Sequence, residues 1–457
     1  MCSKTAFKKS VRRRRTLLES IRQFLTPAVW KQGHQACFQG KRKPRWQLQP
    51  LVLTLLAMTW CCGDSQAERF ETGKAFCAVA LTRRRRPGAT VEGFHKALAK
   101  LPVAALRALA AGVRRQMTRL FADVFWVGGF IPIGVDGSRL ECPRSAELER
   151  YMGKAGKDKS APSMWVTALV HLKTGLLWAW KLGKGNASER GHLQRMLPLL
   201  PAGALVVADA GFNGFFLARA LVAAQASFLI RMSAKVTLLS DKPVAVEQFE
   251  DERLYYWPED AQEKSCPPLQ VRLIRVHAKK TKNDVWLLTN VLDQERLPRE
   301  TAAQFYRWRW ENEGLFRTYK RTLSKVKLTS RSLKLVHREA EASLLATQLL
   351  LAQGTLAVRG KPCSPRQVLL AIRHEIQGCD RRPSTHRSRR RTGGTRSPSF
   401  GQRLARATRE DRQRTSRKEK RVWVSQRGPH KPPKPPKILM LTKPQKHRID
   451  RMLQHAA

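Results

Sequence analysis

Tyr306-Arg307-Trp308-Arg309-Trp310-Glu311-Asn312-Glu313-Gly314-Leu315-Phe316-Arg317-Thr318-Tyr319-Lys320 is the stretch on which the reading of this 457-residue chain turns. Tyr306, Arg309, Glu313 and Lys320 stand at offsets of three, seven and fourteen residues. At about 100° per residue on an α-helix, all four fall within an arc of roughly 60°. Glu311, the rival carboxylate, lies about 140° from Tyr306 and points elsewhere. A helix facing a core shows an apolar stripe, whereas this stripe carries a phenol, two cations and a carboxylate. An i, i+4 ion pair between Arg309 and Glu313 is the plainer explanation of the same spacing.

Outward from this helix, toward the N-terminus, the hydrophobic period becomes two. Ile131, Ile133 and Val135 alternate up to Asp136, and a hairpin is expected from Trp165 to Leu172 and Leu176 to Leu182 across Lys173-Thr174-Gly175. A helix with Leu193, Met196, Leu197 and Leu200 on one face follows. After it come an apolar strand, Ala204 to Ala208, ending in Asp209, a short helix from Phe215 to Leu221 and a strand from Phe228 to Ile230. This order predicts an α/β fold, a mixed sheet with helices packed on it. Asp136 in Val-Asp-Gly-Ser and Asp209 in Ala-Asp-Ala-Gly-Phe both stand at strand ends with glycine close behind. Taken singly, each reads more readily as a turn cap than as a site residue.

Residues 232–297 lack a helical period. Pieces such as Leu269 to Val276 and Val285 to Val291 flank the polar loop Lys279 to Asp284, so this is expected to be a β-rich insertion. Before the core, Leu17, Leu18, Ile21 and Leu25, then Val52, Leu55, Leu56 and Thr59, then Leu106, Leu109, Val113 and Met117 recur at helical spacing. The expected organisation is a helical DNA-binding domain (1–127), a catalytic core (128–231 and 298–376) interrupted by the insertion, and a tail (377–457). After Asp380 the chain has 24 Lys and Arg against 4 Asp and Glu, with Lys-Pro-Pro-Lys-Pro-Pro-Lys from Lys431 to Lys437. Such a composition predicts a disordered basic tail with a short polyproline-II piece.

The formal net charge is +52, from 87 Lys and Arg against 35 Asp and Glu. So large an excess repels itself unless a polyanion is near, so nucleic acid is the expected partner; composition alone does not separate an enzyme on DNA from a passive RNA or DNA binder. Basic runs at Arg12 to Arg15 and Arg83 to Arg86 are read as DNA-facing helix surfaces. Nine cysteines without any Cys-x-x-Cys pair point to reduced thiols. His34 and Cys37 have a metal-like spacing, but no second ligand pair follows, so no zinc site is expected. The apolar run Leu51 to Cys62 is too short for a membrane span, which needs about twenty residues. No signal peptide is evident, and a cytoplasmic, nucleoid-associated protein is expected.

At the level of motifs the chain resembles the insertion-sequence-four family of DDE transposases. Tyr306-x2-Arg309-x3-Glu313-x6-Lys320 matches that family's signature, Asp209-Ala210-Gly211-Phe212 matches its Asp-x-Gly-aromatic motif, and Asp136-Gly137-Ser138 is similar to its first motif. The order of aspartate, aspartate, β-rich insertion and glutamate agrees as well. The resemblance implies a ribonuclease-H-like core in which Asp136, Asp209 and Glu313 are catalytic and hold two Mg²⁺ ions, with Mn²⁺ able to substitute. It implies that Tyr306, Arg309 and Lys320 contact phosphates of double-stranded transposon-end DNA, and that target DNA and a homodimer pairing two ends take part. In similar transposases a Trp of the insertion stacks on a base flipped from the DNA end; Trp257 is the candidate here, while Trp286, Trp308 and Trp310 are expected in the core. A nuclease that only hydrolyses DNA would need the same three carboxylates but not Tyr306, Arg309 and Lys320. An inactive basic DNA-binding descendant is the third reading.

Overall fold

A computed structural model describes residues 16–37, 45–81, 88–153, 160–245, 248–277, 284–358, 363–380, 398–407 and 435–454. The basic runs Arg12 to Arg15 and Arg83 to Arg86, most of the Lys279 to Asp284 loop and most of the Lys431 to Lys437 run lie outside the described residues. Seven helices come first: α1 (Leu17–Phe24), α2 (Pro27–Gln35), α3 (Leu48–Trp60), α4 (Gln66–Ala80), α5 (Val91–Lys100), α6 (Val103–Leu120) and α7 (Ala122–Phe125). Their starts are written in the sequence. Thr16 and Ser65 form capping boxes with Glu19 and Glu68, and Thr26 caps a helix that begins with proline.

The core then runs β1 (Ile131–Glu141), α8 (Ala146–Tyr151), β2 (Ser163–His171), β3 (Leu176–Lys184), α9 (Glu189–Met196), β4 (Ala204–Ala208), α10 (Phe215–Ala223) and β5 (Ser227–Arg231). Residues 232–297 contribute β6 (Thr237–Ser240), β7 (Asp251–Tyr256), α11 (Glu259–Glu263), β8 (Leu269–Val276) and β9 (Val285–Thr289). Next come α12 (Arg299–Trp308), α13 (Trp310–Arg317), α14 (Leu333–Ala357), α15 (Pro365–Asp380), α16 (Phe400–Ala405), β10 (Lys437–Met440) and α17 (Lys443–Gln454).

The ten strands of the described residues form one sheet in the order β10-β6-β7-β8-β9-β5-β4-β1-β2-β3. Its centre, β5-β4-β1, is parallel; β2 and β3 add an antiparallel hairpin on one side, and β9 joins β5 antiparallel on the other. This is an α/β ribonuclease-H-like core, and the β-strands of 232–297 widen its sheet instead of forming a separate one. The parallel strands read as continuous apolar runs because both faces are covered. On one face Leu205, Val207, Leu229 and Leu287 pack with Phe305 of α12; on the other, Ile133, Val135, Val206 and Ala208 join a much larger core shared with the remaining helices.

That larger core includes the N-terminal helices. The 25-residue helix α14 is apolar almost all round and buried along most of its length, as expected of a helix packed on every side. Trp60 Nε1 donates to Ala346 O at 3.2 Å, Arg338 Nε to Leu101 O at 2.7 Å, and Glu341 accepts from Arg107 Nε at 2.8 Å and Trp180 Nε1 at 2.7 Å. Helices α3, α5 and α6 therefore rest on the same central helix as β3.

The tail departs from the expected disorder in its described pieces. α15 continues through Asp380, β10 pairs in parallel with β6, and α17 packs beside α11, where Arg448 Nη2 donates to Gln262 O at 2.8 Å. Composition misled here because a strand added to an existing sheet edge needs little apolar surface; its main-chain hydrogen bonds attach it. No helix among the described residues is long and apolar enough to cross a membrane, and no described cysteine is in a disulfide.

A carboxylate site on the central strands

β1 and β4 are in register with Gly134 opposite Val207. Side chains two apart share a face of a strand, so Asp136 continues the side of Gly134 and Asp209 the side of Leu205 and Val207. That is the face on which α12 and α13 lie, and α13 brings Glu313 across β1 and β2. Asp136 Oδ1 accepts from the Gly137 N–H at 2.8 Å, and Asp209 Oδ1 from the Gly211 N–H at 2.9 Å. Burial raises the Asp136 carboxyl above its ordinary range. The Gly137 N–H works against this, the charges of Asp209 and Glu313 add to it, and Arg309 opposes it. Asp209 and Glu313 thus both stand close enough to Asp136 for their charges to act on its carboxyl. Glu311 instead lies near Gly175 of the β2–β3 turn.

The helix carrying Glu313 is not the single regular helix expected. It tightens at Arg309, where Arg309 N–H bonds Tyr306 O at 3.2 Å and Asn312 N–H bonds Arg309 O at 3.0 Å, both i to i+3. Beyond Arg317 it widens into a π turn, Thr318–Thr322, which carries Lys320. Tight turns advance more than 100° per residue and π turns less, so the uniform phase used to group Lys320 with Glu313 does not hold across the segment. Lys320 is half-buried, and desolvation lowers its ammonium pKa. The Arg309 guanidinium stands 5.6 Å from the Tyr306 ring and 5.7 Å from the Trp310 ring, and its Nε is buried with no hydrogen-bond partner among the described residues.

Two tryptophan expectations are corrected. Trp257 is 1% exposed; its Nε1 donates to Cys266 O at 2.7 Å and Arg448 of α17 stands 5.2 Å from its ring, so it belongs to the core and offers no face to a base. Trp310, expected in the core, is 61% exposed beside Arg309. The tightening at Arg309 turns it outward, which no sum of uniform helical steps foresees. Trp308 is half-buried against Phe305 and Trp286 is buried, as expected.

Sequence reasoning also missed Glu189, the first residue of α9. Its Oε1 lies over the Gly137 Cα, where any Cβ would collide with it, so glycine after Asp136 makes room for a neighbouring carboxylate. Burial, then Asp136 and Asp209, raise its pKa from the ordinary 4.5 to about 7, while Arg139 opposes the shift. An acid in the first turn of a helix is commonplace, which is why it gave no signal. The sign of its linkage is definite. The folded protein holds a proton on Glu189 that the unfolded chain releases at about 4.5, so this contribution to stability is present below that pH and is lost as pH rises through about 7. Wild-type protein kept in chelator should show an unfolding midpoint that falls between about pH 5 and 8, and Glu189→Gln should flatten that decline; parallel profiles for the two proteins would contradict the assignment.

Among the described residues no three His, Cys, Asp or Glu side chains are gathered tightly enough to hold a metal ion as they stand. The donor chemistry nevertheless suits one. Asp136, Asp209 and Glu313 offer only carboxylate oxygens, which hard divalent cations prefer, and their mutual repulsion at Asp136 is what a bound cation would relieve.

Asp136 thus stands midway along β1, not at the strand end expected, Asp209 just past the end of the adjacent β4, and Glu313 on a helix beyond the sheet-widening insertion, an arrangement that a ribonuclease-H-like core provides. Residues 132–349 match the family model of the transposase DDE domain. No curated protein matches the sequence. A solved structure similar in fold is that of the piggyBac transposase synaptic complex with hairpin DNA, determined by cryo-EM: it is 10% identical, with a TM-score of 0.43 over 82% of this chain and 84% of that one.

Proposed function

We propose that this protein is a DNA transposase of the insertion-sequence-four type, which cleaves the ends of a mobile element and joins them to target DNA. The observation that supports this most is the convergence on the Asp136 carboxyl of charge from Asp209 and Glu313, each carried by a separate element, inside the segment that matches the DDE domain. Asp136, Asp209 and Glu313 are the residues that would hold Mg²⁺, or Mn²⁺ in its place. Bound there, the cation would supply Lewis acidity to the attacking and leaving oxygens of a phosphodiester. The chain's own part is to fix the carboxylates on rigid strands and to seat the DNA. Arg309, with the rings of Tyr306 and Trp310 each within 6 Å of its guanidinium, is the cation proposed to contact a phosphate, and exposed Trp310 offers a ring beside it. The charge of +52 supplies attraction to double-stranded DNA of any sequence. Two protomers pairing two ends, acting at the cytoplasmic nucleoid, complete the proposal.

The test is a cleavage and joining assay with the element's end DNA, Mg²⁺ or Mn²⁺, and a target duplex. Release of the end followed by its covalent transfer to the target supports transposition; hydrolysis without any joining would favour a nuclease. Lys320→Ala separates phosphate seating from chemistry. It should weaken end binding by about tenfold, the loss of one charge-assisted contact of roughly 1.5 kcal/mol, and lower cleavage while leaving metal-dependent hydrolysis detectable. Unchanged binding and cleavage in this variant would make Lys320 structural.

A further inference from the structure

Asn312 immediately precedes Glu313 and is 0% exposed, yet neither its amide oxygen nor its nitrogen has a hydrogen-bond partner among the described residues. An apolar side chain would fill such a place more stably, because a buried amide gives up water and here gains nothing in exchange. Facing it is Gly134 of β1. A Cβ on Gly134 would stand 2.7 Å from both amide atoms and would also strike Leu172 Cδ2. Gly134 lies two residues before Asp136 on the same face of its strand, and Asn312 lies one residue before Glu313 on α13. The amide therefore presses into a notch in the strand that bears one carboxylate, from the helix that bears another. It does so where that helix tightens onto Arg309 O.

We infer that Asn312 is a positioning residue: its branched, planar end seated in the Gly134 notch sets the height of α13 on β1, and with it the place of Glu313 relative to Asp136. This rests on the reading of Glu313 and Asp136 as catalytic carboxylates. The unsatisfied amide is a local instability retained because a side chain of this length and shape holds the helix at that height.

The test uses the full chain with three substitutions, Asn312→Leu, Asn312→Ala and Glu313→Gln, measured for thermal unfolding, end-DNA binding and single-turnover cleavage at saturating DNA. Leucine has the same branching at Cγ but no polar atoms to strand. Asn312→Leu should unfold at or above the wild-type temperature and bind end DNA within about twofold, yet cleave about tenfold to a hundredfold more slowly, because small displacements of reacting groups carry costs of that order. A merely structural residue would move stability and cleavage together. Asn312→Ala, which empties the notch without adding bulk, should show the same cleavage loss with binding retained, and it carries the test if leucine proves too large. Cleavage by Asn312→Leu or Asn312→Ala within about twofold of wild type, with Glu313→Gln inactive, would overturn the positioning role alone. Wild-type cleavage by Glu313→Gln would overturn the reading of the site beneath it.

Discussion

Asp136→Asn, Asp209→Asn and Glu313→Gln should each lower cleavage and strand transfer by about three orders of magnitude or more, equivalent to about 4 kcal/mol in the barrier. Each change keeps the shape of the side chain and removes one negative oxygen donor from a set of three. End-DNA binding should hold or tighten slightly, since a carboxylate near a phosphate repels it and the amide does not. The variants should also report on one another. Asp209 and Glu313 both raise the Asp136 carboxyl, so neutralising either should lower the pKa of Asp136, observable by carbon-detected NMR of a labelled carboxylate. The measurement that decides is single-turnover cleavage beside a gel-shift titration on the same DNA. A variant that cuts at the wild-type rate removes its residue from the site.

The second large effect concerns Arg272, which is 0% exposed on β8. Its Nε donates to Asp251 Oδ1 at 2.7 Å, Nη1 to Val291 O at 3.1 Å and Asp293 O at 2.9 Å, and Nη2 to Leu297 O at 2.6 Å. These bonds tie β7 and the loop before α12 to the widened sheet, so the guanidinium fork anchors the approach to α12 and α13, the helices that meet at Arg309, the second carrying Glu313. Burial pushes the Asp251 carboxyl up even with Arg272 beside it. Removing the cation therefore leaves a desolvated carboxylate and three carbonyls without their donor. Arg272→Met should lower folding stability by about 3 to 5 kcal/mol, read as a shifted urea midpoint. Arg272→Lys should recover little, because one ammonium cannot reach three directions in a plane. A loss below about 1 kcal/mol in Arg272→Met would show that water takes over these groups readily.

Much of the architecture was legible because the signals were local. The apolar run Ala204 to Ala208 ends in Asp209 as a strand buried on both faces should, and the alternation from Ile131 to Val135 delivers Asp136. Glu313 was separable from Glu311 because they are two residues apart, too few for errors in helical phase to accumulate. Lys320 lies seven residues beyond Glu313, across the change from α to π winding, and there the same arithmetic fails. Trp257 and Trp310 exchanged roles for a similar reason. Exposure of a large ring depends on what packs over it, and Trp257 is covered by Arg448, nearly two hundred residues later in the chain. Glu189 was invisible because its pKa and its contact with Gly137 arise only when α9 folds against β1. The fold of the tail was equally hidden, since β10 takes its order from β6 and not from its own composition.

That last pairing sets a schedule for biosynthesis. β6 leaves the ribosome roughly 200 residues before β10, which at about 5 to 20 residues per second is an interval of some 10 to 40 seconds. Throughout it, the nascent chain presents Thr237–Ser240 as an open strand edge, the kind of template on which neighbouring nascent chains can stick together. A premature stop between residue 349 and β10 would leave Asp136, Asp209 and Glu313 in place and that edge uncovered. With β10 in place the outer strand is only four residues long and follows the lysines and prolines of Lys431 to Lys437, features that discourage further pairing, so products that lack it should aggregate more readily than the longer chain.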